Sequence, residues 1–165
     1  MKRRKQSNAD MEAQNILNAL RQIVQCLRQA STSSERKIGL TSAQLFVLQK
    51  IAENEEPLSI NGLASKTLTH QSSVSVVVAK LVEKNLVVRS PSKQDARSLK
   101  VKISKKGKSL LSQAPPLIQD QLMRGLLRLS SSKRSGLMDG LNTWIAAAGI
   151  KGAEPSLFFE DRKGD

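Results

Sequence analysis

The sequence predicts a mainly α-helical fold with one small β-hairpin. Apolar residues recur at intervals of three and four along most of the 165 residues, the period of a one-sided helix. Leu86-Val87-Val88-Arg89 and Leu99-Lys100-Val101-Lys102-Ile103 read as paired strands, the second with strand-like alternation that turns Lys100 and Lys102 outward. Between these two runs, Ser90 to Arg97 is rich in Ser, Lys, Asp and Pro, the composition of a hairpin loop.

Taken in order, Met1-Lys2-Arg3-Arg4-Lys5 opens a basic flexible tail over 1–9. Ala13, Ile16, Leu17, Leu20, Ile23, Val24 and Leu27 then share one face of a helix over about 10–30, which Ser31-Thr32-Ser33-Ser34 ends. Thr41 with Gln44 three residues on reads as a capping box for a second helix carrying Leu45, Phe46, Leu48 and Ile51, stopped by Pro57. Ser59 caps a short third helix through Lys66, with Ile60, Leu63 and Ala64 inward.

Ser73-Val74-Ser75-Val76-Val77-Val78 has strand propensity, but Val74, Val77, Val78, Leu81 and Val82 also make a helical stripe. The following Ala79 to Lys84 decides for helix, with Asn85 in the left-handed position after its last turn. After the hairpin, Ser104 caps a helix that Pro115-Pro116 interrupts or kinks. Leu117 to Leu129 and Leu137 to Ala148 resume the helical stripe, ending at Gly149. Helices first and a cationic hairpin last is the order of a winged helix-turn-helix, here over 40–104, between a helix over 10–30 and helices over 105–150. A polar tail over 151–165 carries Leu157-Phe158-Phe159, whose role the sequence leaves open.

Composition points to a polyanionic partner. The chain has 27 Lys and Arg against 14 Asp and Glu, a net charge of +13, and a pI near 10.3. From Ile60 to Ser112 eleven of the cations face only Glu83 and Asp95, a local +9 concentrated around the hairpin. With no Tyr, one Trp and three Phe, stacking platforms for single strands or RNA bases are disfavoured. One cysteine excludes an internal disulfide and a multi-cysteine zinc site. No apolar run of membrane-spanning length and no secretion-type leader is visible, so the expectation is a cytoplasmic protein without membrane partners. No nucleophile triad, paired carboxylate set or phosphate loop stands out. The expectation is therefore a non-enzyme with no cofactor and no metal.

In this order the residues Leu40-Thr41, Gln44, Leu48, Leu63-Ala64, Ser75, Leu81, Glu83-Lys84, Leu86-Val87, Arg89, Asp95-x-Arg97 and Ile103-Ser104-x-x-Gly107 resemble the MarR family of bacterial transcriptional regulators. The match covers about 70 residues, and its specificity lies in the series being in register. Three positions depart from the family: Ser75-Val76 where members often show Thr-Arg, Asn85 where Gly is common, and His70 where an acidic residue is frequent. The resemblance implies a homodimer joined through the N- and C-terminal helices, 10–30 and 105–150. It also implies a recognition helix around Gln71 to Lys84 in the major groove, Arg97 in the minor groove, and a small-molecule effector in the cleft between dimer helices and lobe.

The residue chemistry assigns roles independently. A recognition helix presents its N-terminal residues to base edges, so Gln71, Ser72, Ser73 and Ser75 are candidate readers and Val76 a candidate for a thymine methyl. Gln71 leads because its amide can bond adenine at two points. Ser72 or Ser73 alternatively caps the helix. On the hairpin Arg97 suits a narrow minor groove, and Asp95 orients an arginine or closes the turn. Lys80, Lys93, Lys100 and Lys102 are candidate phosphate contacts, adding affinity rather than sequence choice. His70 reads as a cap or phosphate contact rather than a pH switch, and Cys26 as a buried structural thiol rather than an oxidant sensor. The function expected is a sequence-specific double-stranded DNA-binding transcriptional regulator, a repressor acting as a dimer on a pseudo-palindrome. The alternative is a non-catalytic winged-helix module that binds protein or structured RNA.

Overall fold

The computed structural model describes the backbone of residues 2–91, 99–150 and 157, and side chains from residue 8 onward except 91 and 99. Its order is α1 (Lys2–Ile38), α2 (Ser42–Ala52), β1 (Leu58–Ser59), α3 (Ile60–Thr67), α4 (Gln71–Glu83), β2 (Val87–Pro91), β3 (Leu99–Ile103), α5 (Lys105–Leu111), α6 (Ile118–Leu127) and α7 (Ser131–Ala147). Helices α2, α3 and α4 pack on one another and against the sheet, forming a winged-helix lobe, while α1, with α6 packed on it and α7 beside it across an apolar groove, forms an arm. The core is aliphatic, as the composition requires: Leu45, Leu48, Ile51, Leu63, Leu81 and Leu86 are each 2% exposed or less.

Helix α1 overturns two boundaries. The helix begins at Lys2, inside the stretch read as a flexible tail, and continues past the serine run to Ile38. Lys, Arg and Gln are good helix formers, so the basic residues extend α1 instead of fraying it. The serines survive inside it because tertiary packing overrides propensity: Ser31 and Ser34 are buried against the lobe, and Ser31 Oγ accepts from Ser42 N at 3.3 Å. Gly39, at φ 69°, ends the helix, its N–H donating to the Glu35 carbonyl at 2.9 Å. Cys26 on this helix is exposed, contrary to the buried thiol expected. Its neighbour Leu27 takes the inward position, 3% exposed.

The caps mostly follow the sequence. Thr41 Oγ1 accepts from Gln44 N at 3.2 Å, Ser59 Oγ from Gly62 N at 3.0 Å, and Ser104 Oγ from Gly107 N at 2.9 Å. The box at Thr41 is only half a box, because the Gln44 Oε1 turns instead to Lys84 Nζ at 3.2 Å. Pro115-Pro116 breaks the helical path outright, leaving Leu117 5% exposed in the core between α5 and α6. Ser130 caps α7, Lys133 N donating to it at 3.3 Å, and Gly149 at φ 65° ends that helix.

The ambiguous valine run is helix. Val74, Val77, Val78 and Leu81, spaced three and four apart, are all 2% exposed or less, so their burial outweighs β propensity. Asn85 takes φ 61°; its N–H donates to the Val82 carbonyl at 2.8 Å and Leu86 N to the Leu81 carbonyl at 2.9 Å, a complete Schellman closure. The sheet has three strands rather than two, in the order β1-β3-β2. Leu58 pairs with Val101 and Ser59 with Lys100, so the segment before the α3 cap also covers the otherwise open edge of β3.

Candidate nucleic-acid interface

Helix α4 has two faces of different chemistry. Val74, Val77, Val78 and Leu81 are buried in the lobe, and Gln71, Ser72, Ser75 and Val76 are exposed on the other side. The exposed set begins at the N-terminal end, where unpaired backbone N–H groups give a partial positive charge. Ser73, read as a candidate base reader, is 9% exposed and turned toward the lobe, so it cannot present its hydroxyl to a groove. It sits one position before Val74 in the buried stripe, and helical geometry rather than residue type decides its direction. His70 occupies the N-cap position with no side-chain capping bond, while its carbonyl accepts from Val74 N at 3.1 Å.

The turn into α4 is tightly specified. Leu68 has φ 53°, with its N–H donating to the Ser65 carbonyl at 3.4 Å and Thr69 N to the Ala64 carbonyl at 3.1 Å. Thr67 Oγ1 donates to the Leu63 or Ala64 carbonyl and lies 2.7 Å from Thr69 Oγ1. Leu68 was not singled out from the sequence, because a leucine carries no signal for a left-handed turn.

Beside α4 the sheet alternates as expected. Val101 and Ile103 point into the core, while Lys102 is exposed and Lys100 half-buried on the outer face. Lys102 lies opposite Val88 and Lys100 opposite Ser90 in the β2–β3 register, so both lysines share one surface with the outward side of β2. Arg89, to which no individual role was assigned, is exposed on β2 but lies opposite Val101, on the other face of the sheet from Lys100 and Lys102. Lys80 is half-buried on α4. Lys93, Asp95 and Arg97 lie outside the described residues.

Part of the basic cluster is gathered at the C-terminal end of α4. Lys84 Nζ donates to the Gly39 carbonyl and to Gln44 Oε1, and Lys106 Nζ donates to the Lys84 carbonyl at 3.0 Å. Ser104 Oγ donates to the Asn85 carbonyl at 2.8 Å, which seats the start of α5, with exposed Lys105 and Lys108, beside the C-terminal end of α4. A 13-residue helix is about 20 Å long, so these lysines lie that far from Gln71. Periodicity in the sequence could not reveal this, because the separation arises from where α5 folds back.

Two further features lie outside this surface. A cavity of about 350 Å³ separates α2 from the α5–α6 connection, lined by residues including Gln49, Pro115, Leu117, Asp120 and Arg124. On the arm, Ile16, Leu20 and Ile23 of α1, Leu126 and Leu127 of α6, and Leu137, Leu141 and Ile145 of α7 are all exposed. Among the described residues no group of three or more His, Cys, Asp or Glu could hold a metal ion, and no helix is long and apolar enough to cross a membrane.

A recognition-type helix behind a three-residue turn, flanked by a cationic hairpin, defines a winged helix-turn-helix protein. The model of the MarR family matches residues 38–98. The regulator SarZ of Staphylococcus aureus is 30% identical over 116 residues, covering 70% of this chain and 76% of SarZ. The chain belongs to the MarR family. SarZ of Staphylococcus epidermidis is 31% identical over 75 residues, where the chain spans 50% of that relative's length. The transcriptional repressor MdtR of Bacillus subtilis is 27% identical over 100 residues, 61% of this chain and 64% of MdtR. Among solved structures, Sco3205 of Streptomyces coelicolor, a MarR family regulator in complex with DNA, superposes with a TM-score of 0.60 at 22% identity, covering 89% of this chain and 97% of that one.

Proposed function

We propose that the chain is a sequence-specific regulator of transcription that binds double-stranded DNA as a homodimer. The exposed face of α4 carries the reading: Gln71, Ser72, Ser75 and Val76 stand together at its N-terminal end, and the helix packs against a sheet that turns Lys100 and Lys102 outward. Gln71 bonds adenine, the serines contact base edges, and Val76 packs on a thymine methyl. Lys80, Lys93, Lys100 and Lys102 neutralise phosphates, and Arg97, with Asp95 supporting it, enters the minor groove. The exposed apolar residues of α1, α6 and α7 support pairing with a second copy, since a monomer would leave a large apolar surface in water. Two lobes then meet a pseudo-palindrome with half-sites about one helical turn apart.

Repression is the sense of regulation the similarity to MdtR supports. The cavity between α2 and the α5–α6 connection is the place for a small-molecule effector, because it lies where the lobe joins the arm. The protein works in the cytoplasm, where duplex operators are found.

The test is a gel shift of duplex DNA from the gene's own upstream region against RNA of equal charge, repeated over a salt series. Duplex should be preferred, and log K should fall steeply with log salt, by about 0.9 per phosphate neutralised. A flat salt response, or preference for the RNA, would refute the reading, and a monomer by solution molar mass would remove the paired half-sites.

A further inference from the structure

We infer that Leu68 is itself a DNA contact, held out from the turn before α4 to pack on the deoxyribose carbons of the strand bordering the groove. The inference rests on the duplex-DNA reading above. Two independent observations lead to it. Leu68 takes a left-handed conformation at φ 53°, where a leucine Cβ crowds the following carbonyl and glycine would sit without strain. Its side chain is 77% exposed, so burial within the lobe does not offset that strain. The conformation is the left-handed closure of α3, with the Leu68 N–H on the Ser65 carbonyl and Thr69 N on the Ala64 carbonyl, held further by the Thr67 and Thr69 hydroxyls. Glycine is the usual residue in that position, so neither the turn nor the core accounts for a leucine there.

The second observation concerns where the lobe leaves apolar side chains in water. From Leu40 to Ile103, the large hydrophobic residues exposed among the described ones are Leu68, Val76 and Val88. Val76 lies on the exposed face of α4 and Val88 opposite Lys102 on the outer face of the sheet, so they flank the surface assigned to DNA. Leu68 is the most exposed of the three and stands three residues before Gln71. In a helix-turn-helix the first helix crosses the sugar-phosphate backbone and the second enters the groove. The turn joining them is therefore carried to the groove's edge, where sugar carbons are the apolar surface.

The variant Leu68→Gly separates this role from a structural one, because the two predict opposite signs. Binding to a labelled duplex from the gene's own upstream region is read by fluorescence anisotropy, with thermal unfolding measured in parallel. Leu68→Gly should unfold at the same or a higher temperature and bind about tenfold more weakly, the scale of partial leucine burial. Leu68→Met, which keeps an apolar side chain, should stay within about twofold of the wild type. Wild-type affinity in Leu68→Gly, or a lowered unfolding temperature accounting for its loss, would overturn the inference. If the folded wild type itself fails to bind the duplex, the DNA reading falls and takes this contact with it; if only Leu68→Gly is unaffected, Leu68 alone is reassigned.

Discussion

Gly107 is the position where adding one methyl group should cost most. It lies in the first turn of α5, where the chain passes against the loop before β2. A Cβ there would stand 2.3 Å from the Leu86 carbonyl oxygen and 2.8 Å from Ile103 Cγ1. Ordinary carbon–oxygen contact is about 3.3 Å or more, so the overlap with Leu86 is about 1 Å. That oxygen is not free to retreat, since it accepts from Ser104 N at 3.0 Å, and Leu86 is 2% exposed. Forced overpacking costs about 1–3 kcal/mol, and a strained or lost Ser104–Leu86 bond adds about 1 kcal/mol. Alanine's better helix propensity returns about 1 kcal/mol. Gly107→Ala should thus destabilise by about 1–3 kcal/mol. In urea unfolding with m near 2 kcal/mol/M, the midpoint falls by about 0.5–1.5 M at unchanged m, with both variants measured at one protein concentration. Gly125 in α6 has open space around its Cβ position and serves as the contrast. Gly125→Ala should be neutral or stabilise by up to about 1 kcal/mol. A Gly107→Ala midpoint at or above wild type would show that the close approach is not rigid and refute the reasoning.

Two other outcomes follow from the interface. Gln71→Ala should relax base preference at one position of each half-site by about 1–3 kcal/mol, and an unaltered preference profile would remove Gln71 from the readers. Lys102→Ala should lower the salt slope by about 1, whereas Lys133→Ala, exposed on α7 of the arm, should leave it unchanged; equal effects would mean that the slope reports net charge rather than contact.

Much of the lobe was legible because local chemistry and global packing agree there. Thr41, Ser59 and Ser104 each cap the helix their position announces, and Asn85 closes α4 in the left-handed turn foreseen for it. The valine run was legible only through its three-and-four spacing, since its residue types favour strand. What the sequence hid was set by distant partners. The serine run of α1 reads as a stop until Ser31 meets Ser42, and Leu58-Ser59 is too short to announce a strand until β3 lies beside it. Ser73 belonged to the right helix but the wrong face, a distinction of one residue that only the buried stripe resolves. The positive charge concentrated in the sequence serves two ends in the structure, because Lys84 and Lys106 donate to carbonyls that fasten α1, α4 and α5 together.

That fastening gives α1 mechanical leverage. With Lys84 gripping the Gly39 carbonyl, the end of the arm helix and the end of α4 form one joint. A helix of 37 residues reaches about 55 Å from it. A sideways displacement of about 5 Å at the far tip of such a rod turns the joint by about 5°. Small repacking along α1 therefore arrives at α4 as a change in its angle, with the ammonium of one lysine as the hinge pin.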